Sequence, residues 1–216
     1  MKLLELYAGS RSIGKEADKL GFDVCSVDIK QFGNIDIVID IEQLTIDILP
    51  FIPDIIWLGI PCTSWSLAGI SHHRINGIEP ISEFAHKSDR LLNHNLKLIA
   101  DLLLINPSLK WYFENPRGCL RNMPQMKQLH RTTIWYCTYG DFRAKPTDIW
   151  SNNIYTPLFN PLGWKPRAEC WNGNKNCHHE SAPRGSKTGT QGLKNNYERS
   201  KLPKELCKEI VKSCMI

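Results

Sequence analysis

The sequence predicts an α/β fold, a doubly wound and mostly parallel sheet, on three observations. Apolar runs of strand length alternate with stretches of helical period up to residue 152, the pattern of a sheet wrapped by helices. Five of those runs end in residues suited to a turn at a strand end: Gly9-Ser10, Asp28, Asp40, Pro61-Cys62 and Glu114-Asn115. Of the 216 residues, 42% are apolar and 23% charged, enough to bury one sizeable core and unlike the composition of a disordered chain.

Residues 3–7 form the first predicted strand, which ends at the small-residue turn Ala8-Gly9-Ser10. Ser12 is placed to cap a helix whose apolar positions Ile13, Ala17 and Leu20 share a face, and Gly21 stops it. Strands are predicted at 24–27, ending at Asp28, and at 35–39, ending at Asp40. Pro53 precedes a fourth at 54–58, which runs into Gly59-Ile60-Pro61-Cys62. An amphipathic helix over 91–105 is bounded by Asn106-Pro107. A strand at 111–113 ends at Glu114-Asn115-Pro116, and two more are predicted at 133–136 and 148–151. Residues 1–152 thus read as the core. Residues 153–200, rich in Asn, Gly, Pro, Ser and Lys with no apolar period, read as a small irregular insert. Residues 201–216 read as a helix returning to the core, opened by Pro203 and buried through Leu206, Ile210 and Val211.

No apolar run approaches the ~20 residues that cross a bilayer, so no membrane span is expected. Lys2 is followed by Glu5 and Asp18, so the N-terminus reads as a folded strand rather than a cleaved signal. The eight cysteines are too spread for a disulfide framework and fit free thiols in a reducing cytoplasm. The net charge of +5 is uneven: residues 1–60 hold 5 basic and 10 acidic side chains, residues 151–204 hold 9 and 3. That asymmetry fits a solvated basic face or an anionic partner.

In an open α/β sheet, ligands bind at the carboxyl ends of the strands. Ala8-Gly9-Ser10 would let a ligand approach the backbone and the helix N-terminal amides, although a tight turn needs Gly9 in any case. Asp28 suits ribose hydroxyls or, equally, an ordinary strand-end turn. Cys62 precedes Thr63, Ser64 and Ser66, where local amides would favour a thiolate; the alternative is a small packing residue. Glu114, if partly desolvated, would stay protonated near neutral pH and donate a proton; the alternative is a surface turn carboxylate.

Taken in order, these segments resemble the DNA cytosine-5 methyltransferase family. Leu4-Glu5-Leu6-Tyr7-Ala8-Gly9-Ser10 is similar to its first cofactor motif, Val27-Asp28 to its ribose-binding strand end, and Ile39-Asp40-Ile41 to the element that meets the adenine. Gly59-Ile60-Pro61-Cys62-Thr63-Ser64-Trp65-Ser66 resembles the Pro-Cys nucleophile motif, and Phe113-Glu114-Asn115-Pro116 the Glu-Asn motif. Tyr139-Gly140 with Arg143, Lys145 and Thr147 resembles the base-facing strand motif. The resemblance covers residues 3–152. It is nearest to the short bacteriophage-type members, through Ser10-Arg11-Ser12, Asn115-Pro116-Arg117-Gly118 and Lys145-Pro146-Thr147-Asp148-Ile149-Trp150.

The resemblance implies a Rossmann-like, S-adenosylmethionine-dependent methyltransferase acting on carbon 5 of a cytosine flipped from duplex DNA, with S-adenosylhomocysteine as product. Cys62 would be the nucleophile at carbon 6. Glu114 would hold ring nitrogen 3 and the exocyclic amine, and Asn115 would fix the surrounding loop. The cofactor would lie across Tyr7, Ala8, Gly9, Ser10, Arg11, Ser12, Asp28, Ile29, Asp40, Ile41 and Pro61; Arg11 and Ser12 stand where the family has glycines. Thr147 stands where the family has its second arginine, which leaves Lys145 and Arg143 as candidates for that role. Ser66, Arg74 and Lys87 around the loop after the nucleophile, with Arg143 and Thr147, would face nucleic acid. The insert would be the target-recognition region, with Lys165, Arg167, Arg184 and Lys187 on phosphates and Gln191 at a base edge.

Double-stranded DNA is therefore the expected partner and a monomer the expected state. The alternatives are an RNA cytosine-5 methyltransferase of the tRNA type and an inactive cofactor- or DNA-binding relative. Cys170 and Cys177-His178-His179 offer four potential zinc ligands. They lack a Cys-x-x-Cys pair, and adjacent histidines seldom share an ion, so no metal is assigned. Cys25, Cys119, Cys137, Cys207 and Cys214 are read as packing residues.

Overall fold

Seven strands form one sheet among the described residues: β1 (Lys2–Leu6), β2 (Asp23–Asp28), β3 (Ile37–Val38), β4 (Ile55–Gly59), β5 (Lys110–Pro116), β6 (Arg131–Trp135) and β7 (Pro146–Ser151). The computed structural model describes residues 1–180, 193 and 195–215; Arg184, Lys187 and Gln191 lie outside the described residues. The strand order is β3-β2-β1-β4-β5-β7-β6. The first five strands pair in parallel, and β7 runs antiparallel to both β5 and β6. The winding reverses between β1 and β4, and a crevice for ligands opens at the carboxyl ends of strands at such a switch point. A short hairpin, Arg74–Ile75 with Glu79–Pro80, stands apart from the sheet.

The helices are α1 (Gly14–Asp18), α2 (Ile70–His73), α3 (Glu83–Ile105), α4 (Pro124–Lys127), α5 (Asn196–Ser200) and α6 (Lys204–Ser213). Successive strand residues face opposite sides of the sheet. Leu4, Leu6, Ile56, Leu58 and Phe113 pack with Leu91, Leu92, Leu98, Ile99 and Leu102 of α3. Leu3, Ile55, Trp57 and Tyr112 pack with Ile13, Ala17 and with Leu206, Ile210 and Val211 of α6. Because both faces are covered, the central strands read as continuous apolar runs.

Two helix boundaries differ from expectation. Helix α3 begins well before residue 91, because Ser82 Oγ accepts the Ala85 N–H at 3.1 Å and caps it. Ser12 does not cap α1. Its Oγ lies 2.7 Å from Ser10 Oγ and accepts the Leu202 N–H at 3.2 Å. The buried Glu5 carboxylate does the work instead, accepting from Ile13 N at 3.1 Å and Gly14 N at 3.0 Å. Gly21, at φ +75°, ends the helical stretch as expected.

After β7 no regular helix or strand appears among the described residues until α5. The break in composition at residue 152 is not a break in packing, however. Ile154 and Trp164 pair through a β-bridge and join the α6-side core, with Trp164 set edge-on to Tyr112 at 6.5 Å between ring centres. Among the described residues no helix is long and apolar enough to cross a membrane.

Candidate active site

Strand β4 delivers Pro61 and Cys62 to the switch point. Cys62 is half-buried and opens a single 3-10 turn, Thr63–Trp65, in which Trp65 N–H donates to Cys62 O at 3.0 Å. The neighbouring parallel strand β5 sets Glu114 beside Gly59 in the ladder. Asn115 then ties the two strand ends together, donating from Nδ2 to Ile60 O at 3.0 Å. Gly118 lets the chain leaving β5 pass under the Cys62 turn: a Cβ there would lie 2.4 Å from Trp65 O.

Glu114 is only 8% exposed. Tyr136, at the end of β6, donates its hydroxyl to Glu114 Oε1 at 3.3 Å, and Lys145 Nζ donates to that hydroxyl, also at 3.3 Å. The Lys145 ammonium lies 4.5 Å from the Tyr136 ring centre and also donates to Arg199 O at 3.1 Å. Cys62, Glu114, Tyr136 and Lys145 therefore form one electrostatic group. Burial pushes the Glu114 carboxyl above the usual carboxylate range, and Lys145 opposes that shift. Burial lowers Lys145 in turn, against the pull of Glu114. A carboxyl raised by desolvation is what the sequence led us to expect.

Cys62 departs from expectation. Burial pushes its thiol up, with the Lys145 charge as the main opposing influence and Glu114 adding to the rise. The single 3-10 turn offers too little dipole to outweigh desolvation, so the resting group is a thiol rather than a thiolate. Tyr136 was not singled out in the sequence. Its hydroxyl gains a role only where β6 and β7 return beside β5, and a tyrosine at a strand end carries no local signal of that.

On the other side of the switch point, Gly9 adopts φ +47° and donates its N–H to Asp28 Oδ2 at 3.0 Å. Lys30 N–H donates to Asp28 Oδ1 at 3.0 Å. A carboxylate has about four acceptor positions, so Asp28 keeps capacity for the hydroxyls of a ribose. Ala8 and Ser10 are buried at this turn. The Tyr7 hydroxyl accepts from Asn95 Nδ2 at 2.8 Å. Asp40 caps the 3-10 turn Ile41–Gln43 and pairs with Lys87 at 2.5 Å, with Ile41 buried behind it. Pro61 and Ile29 are exposed. These residues fit a nucleoside-type cofactor at the parallel strand ends.

Several charged residues are engaged otherwise than expected. Arg11 pairs with Asp18 at 3.2 Å and is turned back on α1. The Arg74 side chain is fully buried: it pairs with Asp89 at 2.5 Å, donates to Ser64 O and Ile78 O, and stacks on Trp65 at 5.0 Å. It anchors the loop after Cys62 and has no face left for a phosphate. Lys87 pairs with Asp40 but keeps part of its side chain exposed. Arg143 is buried, paired with Asp141 at 2.5 Å, and donates to Arg199 O and Lys201 O. Thr147 is wholly buried, with its hydroxyl on Lys145 O. Arg167 pairs with Glu209 of α6 at 2.6 Å and stacks on Tyr139. Among the described candidates, half-buried Ser66 and Lys87 and exposed Lys165 and Arg167 keep open surface. Lys145, not Arg143, is the cation beside Glu114.

Two surface grooves, of about 410 and 560 Å³, are lined by neither Cys62 nor Glu114; the chemistry of the side chains, not concavity, picks out the strand-end site. Comparison with solved structures bears on the fold. The Entamoeba histolytica methyltransferase EhMeth superposes with a TM-score of 0.53 at 14% identity, over 79% of this chain and 57% of that one. A protein described as a DNA modification methyltransferase encoded within an E. coli prophage superposes at 0.50 with 17% identity, over 70% and 46%. The S. pombe Dnmt2 methyltransferase does so at 0.50 with 14% identity, over 70% and 49%. The chain shares the fold of these solved structures. The chain spans about half the length of these structures. No protein-family model matches the sequence, and no curated protein sequence matches it significantly.

Proposed function

We propose that the chain is an S-adenosylmethionine-dependent methyltransferase that modifies carbon 5 of cytosine in double-stranded DNA through a covalent adduct on Cys62. The observation that carries this reading is the meeting of Pro61-Cys62 and Glu114-Asn115 at adjacent strand ends, joined by the Asn115 bond to Ile60 O. The sequence resemblance and the fold point the same way.

Carbon 5 of cytosine is a weak nucleophile, and covalent addition at carbon 6 activates it. Cys62 gives up its thiol proton to water, its sulfur bonds to carbon 6, and Glu114 gives its proton to ring nitrogen 3 as the electrons shift. A carboxyl whose hold on its proton is strengthened by burial suits that donation. Tyr136 and Lys145 hold Glu114 in place, and the Lys145 charge favours ionisation of Cys62. S-adenosylmethionine, when bound, supplies the electrophilic methyl group. Asp28 and the Gly9 turn would hold its nucleoside, with Tyr7, Ala8, Ser10, Ser12, Ile41 and Pro61 around them. Ring nitrogen 3 returns its proton to Glu114 as carbon 5 takes the methyl group. Water then takes the carbon 5 proton, and Cys62 leaves carbon 6 as the thiolate to restore the ring. Residues 1–152 would supply this chemistry, 153–200 target recognition with Lys165 exposed for phosphate, and 201–216 the helix that closes the core.

The test is methyl transfer from labelled S-adenosylmethionine to plasmid DNA and, in parallel, to tRNA. Label in DNA that disappears with Cys62→Ala while DNA binding persists supports the reading. Label in tRNA alone transfers the activity to RNA. Label in neither, from protein that binds the cofactor, favours the inactive relative.

A further inference from the structure

We propose a structural zinc site formed by Cys137, Cys170, Cys177 and His179. It lies outside the strand-end site and stands apart from the methyltransferase reading. Their ligand atoms all lie within 4.8 Å of one another, and Cys170 Sγ is 3.8 Å from His179 Nδ1. Tetrahedral zinc with bonds of about 2.0–2.3 Å sets its ligand atoms about 3.5–3.8 Å apart, so small side-chain movements complete the geometry. Three sulfurs and one imidazole nitrogen are a common structural donor set for this ion.

The sequence hid the site for two reasons that the fold removes. Cys137 sits just beyond β6, far along the chain from the insert, and reads as a packing residue until the insert folds back on it. The two adjacent histidines do not compete. His179 turns into the cluster, while His178 turns away, its Nε2 3.0 Å from Asp141 O. One side chain supplies the ion and its neighbour pins the loop.

Simple thiol packing explains this cluster poorly. Only Trp135 and Ala144 join the buried cysteines in that small core, with Cys177 partly buried against it. The segment 165–180 has no regular helix or strand to position it, and Trp171 is 60% exposed. Asn174 Nδ2 donates to Cys170 Sγ at 3.4 Å, the kind of outer hydrogen bond that orients a metal thiolate. Zinc would displace the three thiol protons to solvent and supply the cross-link that this loop lacks in apolar contacts. It would also fix the insert one residue from Tyr136, and so from Glu114.

The test is elemental analysis of the full chain purified without chelator. About one zinc per chain is expected, falling at least fivefold in Cys177→Ser and retained in Cys119→Ser, a buried cysteine outside the cluster. His179→Cys, which keeps four donors, should retain the metal where His179→Ala loses it. Cobalt added to chelated protein should give the absorption of a tetrahedral thiolate site. Zinc loss should also speed proteolysis within 165–180 while circular dichroism of the core stays unchanged. Folded, fully reduced protein that holds no zinc and takes up no cobalt overturns the proposal. So does zinc that survives in both Cys177→Ser and His179→Ala.

Discussion

Glu5 offers the sharpest quantitative test of how the turn after β1 is built. Its carboxylate is wholly buried under that turn and holds the amides of Ile13 and Gly14. Burial raises it from the ordinary 4.5 to about 7, even though both amides and Arg11 oppose the rise. The folded state therefore binds a proton that the unfolded chain has released between those values. The resulting stability is fully present below about pH 4.5 and is lost as the pH rises through about 7. The whole effect is about 3.4 kcal/mol, of which about 2.5 kcal/mol separates pH 5 from pH 8. Glu5→Gln removes this titration while keeping the shape and one acceptor. Urea unfolding at pH 5 and pH 8 measures it, and subtracting the variant from the parent chain cancels every other carboxyl, Glu114 included. The parent should gain about 2–3 kcal/mol more than the variant on going from pH 8 to pH 5. Parallel pH profiles, within about 0.5 kcal/mol, would refute the burial argument for this turn.

Other predictions follow from single contacts. Lys145→Met removes the cation that holds down both Cys62 and Glu114, so alkylation of Cys62 by iodoacetamide, followed by peptide mass spectrometry, should begin at higher pH than in the parent; an unchanged profile would dissociate Lys145 from the nucleophile. Gly118→Ala places a Cβ against Trp65 O, and unfolding should show a loss of about 1–3 kcal/mol with turnover reduced further still. Arg74→Met strips a buried guanidinium from Asp89 and two carbonyls and should cost about 3–5 kcal/mol. Stability kept, with the salt slope of DNA binding reduced by about one, would restore Arg74 as a phosphate contact.

The strand ends were legible because each βα turn needs a particular small or polar residue directly after an apolar run. That signal is local, and it placed Gly9, Asp28, Cys62 and Glu114 at one edge of the sheet. The start of α3 was not legible, since Ser88 and Asn95 are polar residues buried on its inner face and blur the helical period. Nor could charge alone separate Lys165 from Arg74 and Arg143. An arginine in a polar loop looks the same in sequence whether it faces solvent or fills its donors internally. Tyr136 and Cys137 owe their surroundings to pairings across the sheet and a returning insert, contacts that leave no trace in neighbouring residues.

The central claim is a transient bond from the Cys62 sulfur to a cytosine. Plasmid DNA substituted throughout with 5-fluorodeoxycytidine, incubated with the protein and S-adenosylmethionine, tests it directly, because fluorine at carbon 5 blocks the final elimination. The account predicts a denaturation-resistant protein–DNA adduct whose digested peptide carries the nucleotide on Cys62. A protein that binds both cofactor and DNA yet forms no adduct, or forms it on another residue, contradicts it.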